Sequence, residues 1–451
     1  MKYTILIILF FLVISFRPWN FFTKEIQVEK DSIPQDTLAV AVHDLFTNEY
    51  SDLIETKRLD QTIERFMDQW EIKGASLAIM KDGKLIYSKG YGYADEENEV
   101  KTDVNHIFRI ASVSKLITAA GIMKLVENGT LSLDDKVFGE EGILNDTTLY
   151  APVKDKRMNH ITVENLLRHQ GGFTNRAGDP MFCPIDIAEK MNVPAPADLN
   201  TIIKFVLSRR LGFTCYSNVG YGILSKVIEK ISGKNYEEFI QDSILIPAGC
   251  YDMHLAHNLD KDRYFNEVKY YEQSDADLIR SCDGRDTLVY RSNGGNNIEA
   301  LYGAGGWVAS PTELLRFLSA IDANDSYPDI LTKESVEIMT KCVKNALPLG
   351  WMNTNNQGDW WRSGTLAGTS AMLKRQRDGF CWAFITNTSN WTGPRFPHKI
   401  EGMMARAMDR VKEWPDRNLF DPDYCKAFED GKKLLANEKG VQAHPVHPDN
   451  I

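Results

Sequence analysis

Two hairpins, one near each end of the chain, constrain the fold most. Ala75-Ser-Leu-Ala-Ile-Met80 and Lys84-Leu-Ile-Tyr-Ser88 are apolar, strand-like runs joined across Asp82-Gly83. Asp-Gly between two such runs is a strong short-range hairpin signal, because the tight turn needs positive φ at its central residues. Ala371–Gln376 and Phe380–Asn387 repeat the pattern across Asp378-Gly379. Helical periodicity flanks both hairpins, from Leu59 to Trp70 and from Lys399 to Val411. Between them, over residues 130–300, helical pattern and long loops dominate. This order predicts an α+β fold: one antiparallel sheet built from both chain ends, with flanking helices and a mainly helical inserted subdomain.

A further periodic segment covers residues 112–127 and stops at Asn128-Gly129, a favourable helix end. Val113, Leu116, Ile117, Ala119, Ala120, Ile122, Met123, Leu125 and Val126 surround most of it. A helix apolar on nearly every side is a buried helix. With 451 residues, 43% of them hydrophobic, the chain can bury it. The net charge of -10 argues against a nucleic-acid partner, since binding phosphates needs a basic stripe and none is present.

Met1-Lys2 precedes an apolar run from Tyr3 to Phe16, then Arg17-Pro18. A basic start and a short apolar stretch form the pattern of an export signal. The run is shorter than the roughly 20 residues of a membrane span. No small-x-small cleavage site follows, and Trp19, Phe21 and Phe22 extend the apolar character. A cleaved signal and an uncleaved anchor fit equally, so the expected location is the periplasm or a membrane anchor facing it. The seven cysteines form no C-x-x-C pair, which speaks against a cysteine zinc site. Disulfides are permitted in an oxidising compartment, and the odd count leaves at least one thiol unpaired.

Chemistry concentrates at Ser112-Val-Ser-Lys115, where the buried helix opens. Positions i and i+3 share a helix face, so hydroxyl and amine can meet. The helix start offers free N–H groups and a positive dipole end, which suit an oxyanion. Desolvation and the dipole drive a lysine there toward its neutral form. A neutral amine can take the serine proton. Alone the motif is weak: about one S-x-x-K arises by chance in a chain this rich in Ser and Lys. A serine at that place also serves as a helix cap. G-x-S-x-G, H-E-x-x-H and the P-loop pattern are absent. Gly303-Ala-Gly-Gly306 reads as a strand edge or tight turn, and His444 and His447 as incidental residues of a polar tail.

Several segments in a fixed order carry a family resemblance. Phe108-Arg-Ile-Ala-Ser112-Val-Ser-Lys115 resembles the nucleophile segment of the class C β-lactamase family, which also holds DD-peptidases, D-aminopeptidases and esterases. Ile161-Thr-Val-Glu-Asn-Leu-Leu-Arg-His169-Gln-Gly-Gly-Phe173 is similar to its "iTv..LL.HtsGl" stretch. Tyr216-Ser-Asn218 is similar to its Y-x-N motif, and Gly305-Gly306 through Phe317 to its "GGl.st..dl..f" stretch. Arg362-Ser363-Gly364-Thr365 stands where the family has K-T-G or H-x-G on a strand. The resemblance covers residues 58–411. It leaves 1–22 as signal or anchor, 23–57 as a loosely packed extension and 412–451 as a peripheral polar tail.

The resemblance implies a β-lactamase/transpeptidase-like fold and a serine hydrolase acting on an ester, amide or β-lactam. Ser112 would be the acylated nucleophile, and Lys115 and Tyr216 would share the proton transfers. Asn218 would contact Lys115 and the substrate. Arg362, Ser363, Gly364 and Thr365 would line the substrate site, with the N–H groups of Ser112 and Thr365 as the oxyanion hole. His169 is read as structural. No metal or organic cofactor is implied; the partner is a small-molecule or peptide substrate. Arg362 departs from the family's Lys or His. Its planar fork suits a substrate carboxylate and cannot release a proton. The alternative is an inactive member that binds peptidoglycan or a peptide in the same cleft, which the intact Ser-Lys-Tyr-Asn set argues against.

Overall fold

The computed structural model describes residues 40–438, apart from 151–152, 174–177 and 356. The expected signal or anchor segment, residues 23–39 of the extension, and the tail from 439 onward lie outside the described residues.

A seven-stranded antiparallel sheet forms the frame. Its strands in chain order are β1 (Gly74–Lys81), β2 (Lys84–Asp95), β3 (Val100–Lys101), β4 (Asn353–Thr354), β5 (Trp360–Leu366), β6 (Thr369–Arg375) and β7 (Phe380–Thr386). They lie side by side as β3-β2-β1-β7-β6-β5-β4. The two hairpins therefore meet along β1 and β7, in register from Ala75 opposite Thr386 to Lys81 opposite Phe380. Asp82 and Gly83 both take positive φ, 48° and 79°, as the two-residue turn requires. The sheet joins the chain ends, as the order of elements predicts.

Side-chain alternation divides the core in two. Leu77, Ile79, Met372, Trp382 and Phe384 face the helices Lys57–Trp70 and Phe396–Met408, where Phe66 stacks on Phe396 at 5.7 Å. Ala78, Met80, Ala371, Leu373, Ala383 and Ile385 face the larger core around the central helix Ser114–Glu127. Every residue from Ser114 to Met123 in that helix is buried, as its composition requires. The mid-chain carries the helices Pro184–Met191, Leu199–Leu207 and Asn218–Ser232. It also carries strands of two or three residues. Phe108–Arg109, Trp307–Ala309 and His254–Leu255 form one small sheet, and Ile279–Arg280 with Leu288–Val289 a hairpin. All seven cysteines are free thiols.

Two expectations change. The described part of the extension is packed: Val42, Phe46, Tyr50 and Ser51 are buried. So is part of the tail, where Arg417, Leu419, Phe420 and Cys425 are buried and Pro422–Glu438 is helical. The two segments hold each other. Tyr50 Oη donates to Cys425 O at 3.0 Å and its ring lies 4.1 Å from that of Phe428. Arg417 donates to the carbonyls of Ile86 and Tyr50, and Leu419 N to Leu85 O at 2.8 Å. Few apolar residues, spaced too irregularly for a periodic pattern, suffice when they dock on β2. Truncating a fully buried aromatic costs about 3–5 kcal/mol, so Tyr50→Ala should lower the thermal unfolding midpoint by several degrees. An unchanged midpoint would mean that the terminal segments contribute no stability.

Candidate active site

Ser112 sits in a 3-10 turn, Ala111–Val113, that runs into the central helix at Ser114. Ala111 has φ of 47°, a left-handed conformation that costs a non-glycine residue about 1–2 kcal/mol. The turn places Lys115 one step round from Ser112, and Lys115 Nζ donates to Ser112 Oγ at 3.2 Å. Lys115 is wholly buried. Its ammonium also donates to Asn218 Oδ1 at 2.7 Å and to Ala304 O.

The second side of the site comes from the start of the helix Asn218–Ser232. Ser217 caps it, its Oγ accepting from Gly220 N at 3.3 Å, and Asp179 Oδ2 accepts from Asn218 N at 2.8 Å. Tyr216 precedes the cap, and its Oη lies 2.9 Å from Ser112 Oγ. His169 stacks on the Tyr216 ring at 4.2 Å, and its Nδ1 accepts from Ser217 N at 3.1 Å. Burial, then the cations Arg362 and Lys115, push the His169 imidazole well below its ordinary range, so it is neutral.

The third side is β5. Arg362 is fully buried; its Nε donates to Ser112 O at 2.8 Å and its Nη2 to Tyr216 Oη at 2.6 Å. Two residues on, Gly364 approaches so closely that a Cβ would stand 2.7 Å from Ser112 N and 2.2 Å from Ile110 O. Only glycine fits there. Trp361 O accepts from Met352 N on the β4 side, and β4 pairs only with Trp360 and Trp361. Backbone groups of alternate residues face the same edge. The N–H of Thr365 therefore points to the edge that β4 leaves open. Ser363 and Thr365 are both half-buried.

The charges are tightly linked. Burial pulls the Lys115 amine down to about 8, and the Arg362 cation adds to the effect. Burial alone would raise the Tyr216 phenol, but Arg362 and Lys115 outweigh it and bring it down to about 8. Two groups that ordinarily hold their protons are poised to exchange them near neutral pH.

Ser112, Lys115, Tyr216, Asn218, Arg362 and Gly364 thus come together as the motifs suggested. Arg362 differs in aim: the fork expected to take a substrate carboxylate is shut off from solvent and spent on Ser112 and Tyr216. Ala304 O was not anticipated. Its signal was the Gly303-Ala-Gly-Gly306 run, since a Cβ on Gly303 would stand 2.1 Å from Thr118 Oγ1 on the central helix. The loop needs glycine to lie against that helix and deliver the carbonyl. His169 supports the Tyr216 ring directly.

A profile of the Beta-lactamase family matches residues 59–401. Protein flp of Staphylococcus aureus (strain COL) is 25% identical over 334 residues, 70% of this chain but only 60% of its own length. The octameric penicillin-binding protein homologue from Pyrococcus abyssi superimposes with a TM-score of 0.58 at 25% identity, covering 79% of each chain. The D-amino acid amidase of Ochrobactrum anthropi SV3, solved with D-phenylalanine, gives 0.60 at 20% identity over 79% of this chain and 99% of its own. That last likeness concerns the fold alone.

The electrostatics predict a pH profile for the reaction of Ser112 with a fluorophosphonate. Only the form that has lost a proton from Lys115 or Tyr216 can accept the serine proton, so the rate should rise with pH and level off above about 8. Arg362→Gln removes the cation that lowers both groups. Both pKa values rise, and the midpoint should move alkaline by about one unit or more. An unmoved midpoint would show that Arg362 does not set it.

Proposed function

Because the chain belongs to the Beta-lactamase family, we propose that it is a serine hydrolase that acylates Ser112 with an ester, amide or β-lactam substrate. One observation carries the reading: Ser112 Oγ stands within hydrogen-bond reach of two groups of lowered basicity, the buried Lys115 Nζ at 3.2 Å and the half-buried Tyr216 Oη at 2.9 Å. Ser112 Oγ attacks the substrate carbonyl carbon, and its proton passes to the Lys115–Tyr216 pair. The carbonyl oxygen becomes an oxyanion, which the N–H groups of Ser112 and Thr365 receive. The carbon–leaving-group bond breaks, the same pair returns the proton to the departing nitrogen or oxygen, and an acyl ester remains on Ser112. Water then attacks that ester, gives its proton to the pair, and Ser112 recovers one. Arg362 keeps its proton throughout. It holds the Ser112 carbonyl and biases Tyr216 toward its anion. In this reading the apolar run from Tyr3 to Phe16 supports a location outside the cytoplasm.

Intact-mass measurement tests the acylation. Wild type should gain one fluorophosphonate adduct and Ser112→Ala none; equal labelling of both would remove Ser112 from the mechanism. Lys115→Ala and Tyr216→Phe should each lose about a hundredfold or more in kcat/KM on whichever of an ester, a D-Ala-D-Ala peptide and a β-lactam the wild type turns over. Near-normal turnover in both would mean that the proton goes elsewhere.

A further inference from the structure

Lys115 can take a proton from Ser112 only if its lone pair points there. A neutral lysine amine has two N–H bonds and one lone pair. Asn218 Oδ1 and Ala304 O can only accept, so each takes one hydrogen, and the lone pair is left for the third neighbour, Ser112 Oγ. The Ala304 carbonyl therefore helps decide whether Lys115 meets Ser112 as a base. What holds that carbonyl in place lies one residue earlier, at Gly303.

Three hydroxyl groups converge on Gly303. A Cβ there would stand 2.1 Å from Thr118 Oγ1 and 2.7 Å from both Ser225 Oγ and Tyr236 Oη. Two of them grip its peptide groups: Gly303 N donates to Ser225 Oγ at 3.1 Å, and Thr118 Oγ1 donates to Gly303 O at 2.9 Å. The direction of the second bond follows from its neighbours. Trp307 Nε1 can only donate, and gives its hydrogen to Tyr236 Oη at 3.0 Å. Tyr236 Oη gives its own to Thr118 Oγ1 at 2.8 Å, which leaves the Thr118 hydrogen for Gly303 O, nearer than Ser114 O at 3.4 Å. Ser225 Oγ spends its hydrogen on Tyr221 O at 3.1 Å and is free to accept. Thr118, Ser225 and Tyr236 are wholly buried, where such bonds are costly to lose. The grip also works against strain, because the preceding residue, Tyr302, has φ of 43°, where a bulky residue rarely sits.

We propose that Thr118, Ser225 and Tyr236 are positioning residues for the reaction at Ser112, which hold both peptide groups of Gly303 so that the Ala304 carbonyl stays on Lys115 Nζ. The proposal rests on the reading of Lys115 as a proton acceptor for Ser112. The three residues act through Ala304 and Lys115. A carbonyl that accepts from Lys115 favours the ammonium over the amine. Releasing it should weaken the lysine's hold on its proton, opposite in sign to the loss of Arg362.

Variants that loosen the grip test it. Thr118→Val keeps the shape and removes one hydroxyl, and Ser225→Ala removes the other. The ionisable groups around Lys115, namely Tyr216, Tyr221, Asp179, Arg362 and the neutral His169, are the same in both. In each variant Lys115, followed through its ε-¹³C resonance, should titrate about half a unit or more below wild type. Fluorophosphonate should label Ser112 about tenfold more slowly on the alkaline plateau, because the lone pair is no longer aimed. Thr118→Ser returns the donor and should bring back both values. If Thr118→Val does not fold, Ser225→Ala decides. A Lys115 midpoint unmoved in the folded variants, with only a lower unfolding temperature or a smaller active fraction, would overturn the proposal and leave the three residues as core packing. A wild type that takes no fluorophosphonate would instead overturn the hydrolase reading, and the Lys115 midpoints would still decide whether the grip holds Ala304.

Discussion

A lysine without access to water must be satisfied from within or lose its charge. Lys115 meets that demand with Ser112 Oγ, Asn218 Oδ1 and Ala304 O. These groups come from segments far apart in the chain, and each has a local device that delivers it. A strained turn at Ala111 aims Ser112. A serine cap and Asp179 set the start of the helix that carries Asn218. A glycine-rich loop brings Ala304 against the central helix. Burying one ammonium therefore organises most of the site.

Arg362 adds a second buried cation within the same cluster, and Tyr216 lies between the two. Arg362 Nη2 reaches Tyr216 Oη, and Lys115 Nζ stands 5.0 Å from the centre of its ring. Two cations around one phenol favour its anion, and each lowers the other's affinity for a proton. Only Lys115 can yield, because an arginine does not deprotonate. The neutral His169 fits this scheme, since a third positive charge there would face the other two. The positions of Ser112 and Tyr216 are over-determined by packing and hydrogen bonding, which is what a pre-organised site requires.

Much of the frame is legible in the residues. Asp82-Gly83 and Asp378-Gly379 mark hairpins because the turns need positive φ, at both residues of the first pair and at Gly379 in the second, and period-two alternation marks the strands on either side. The central helix is legible because it is apolar on nearly every side. Strands of two residues, such as Phe108–Arg109 and His254–Leu255, leave no period to detect. The packing of Val42 to Tyr50 against Leu419 to Phe428 depends on contacts across most of the chain, which no local pattern encodes. In the site, the S-x-x-K and Y-x-N motifs name Ser112, Lys115, Tyr216 and Asn218. The direction of Arg362 depends on which face of β5 it occupies, and the role of Ala304 depends on a backbone carbonyl, which carries no residue identity.

The central claim is that burial and neighbouring cations hold Lys115 ready to lose its proton near neutral pH. Incorporating ε-¹³C-lysine and following the ¹³C shifts against pH tests this directly, with the Lys115 resonance assigned by its absence from Lys115→Arg. That resonance should titrate with a midpoint of about 8, below the ordinary lysine value of 10.5. A Lys115 that titrates with the other lysines near 10.5 would contradict the account.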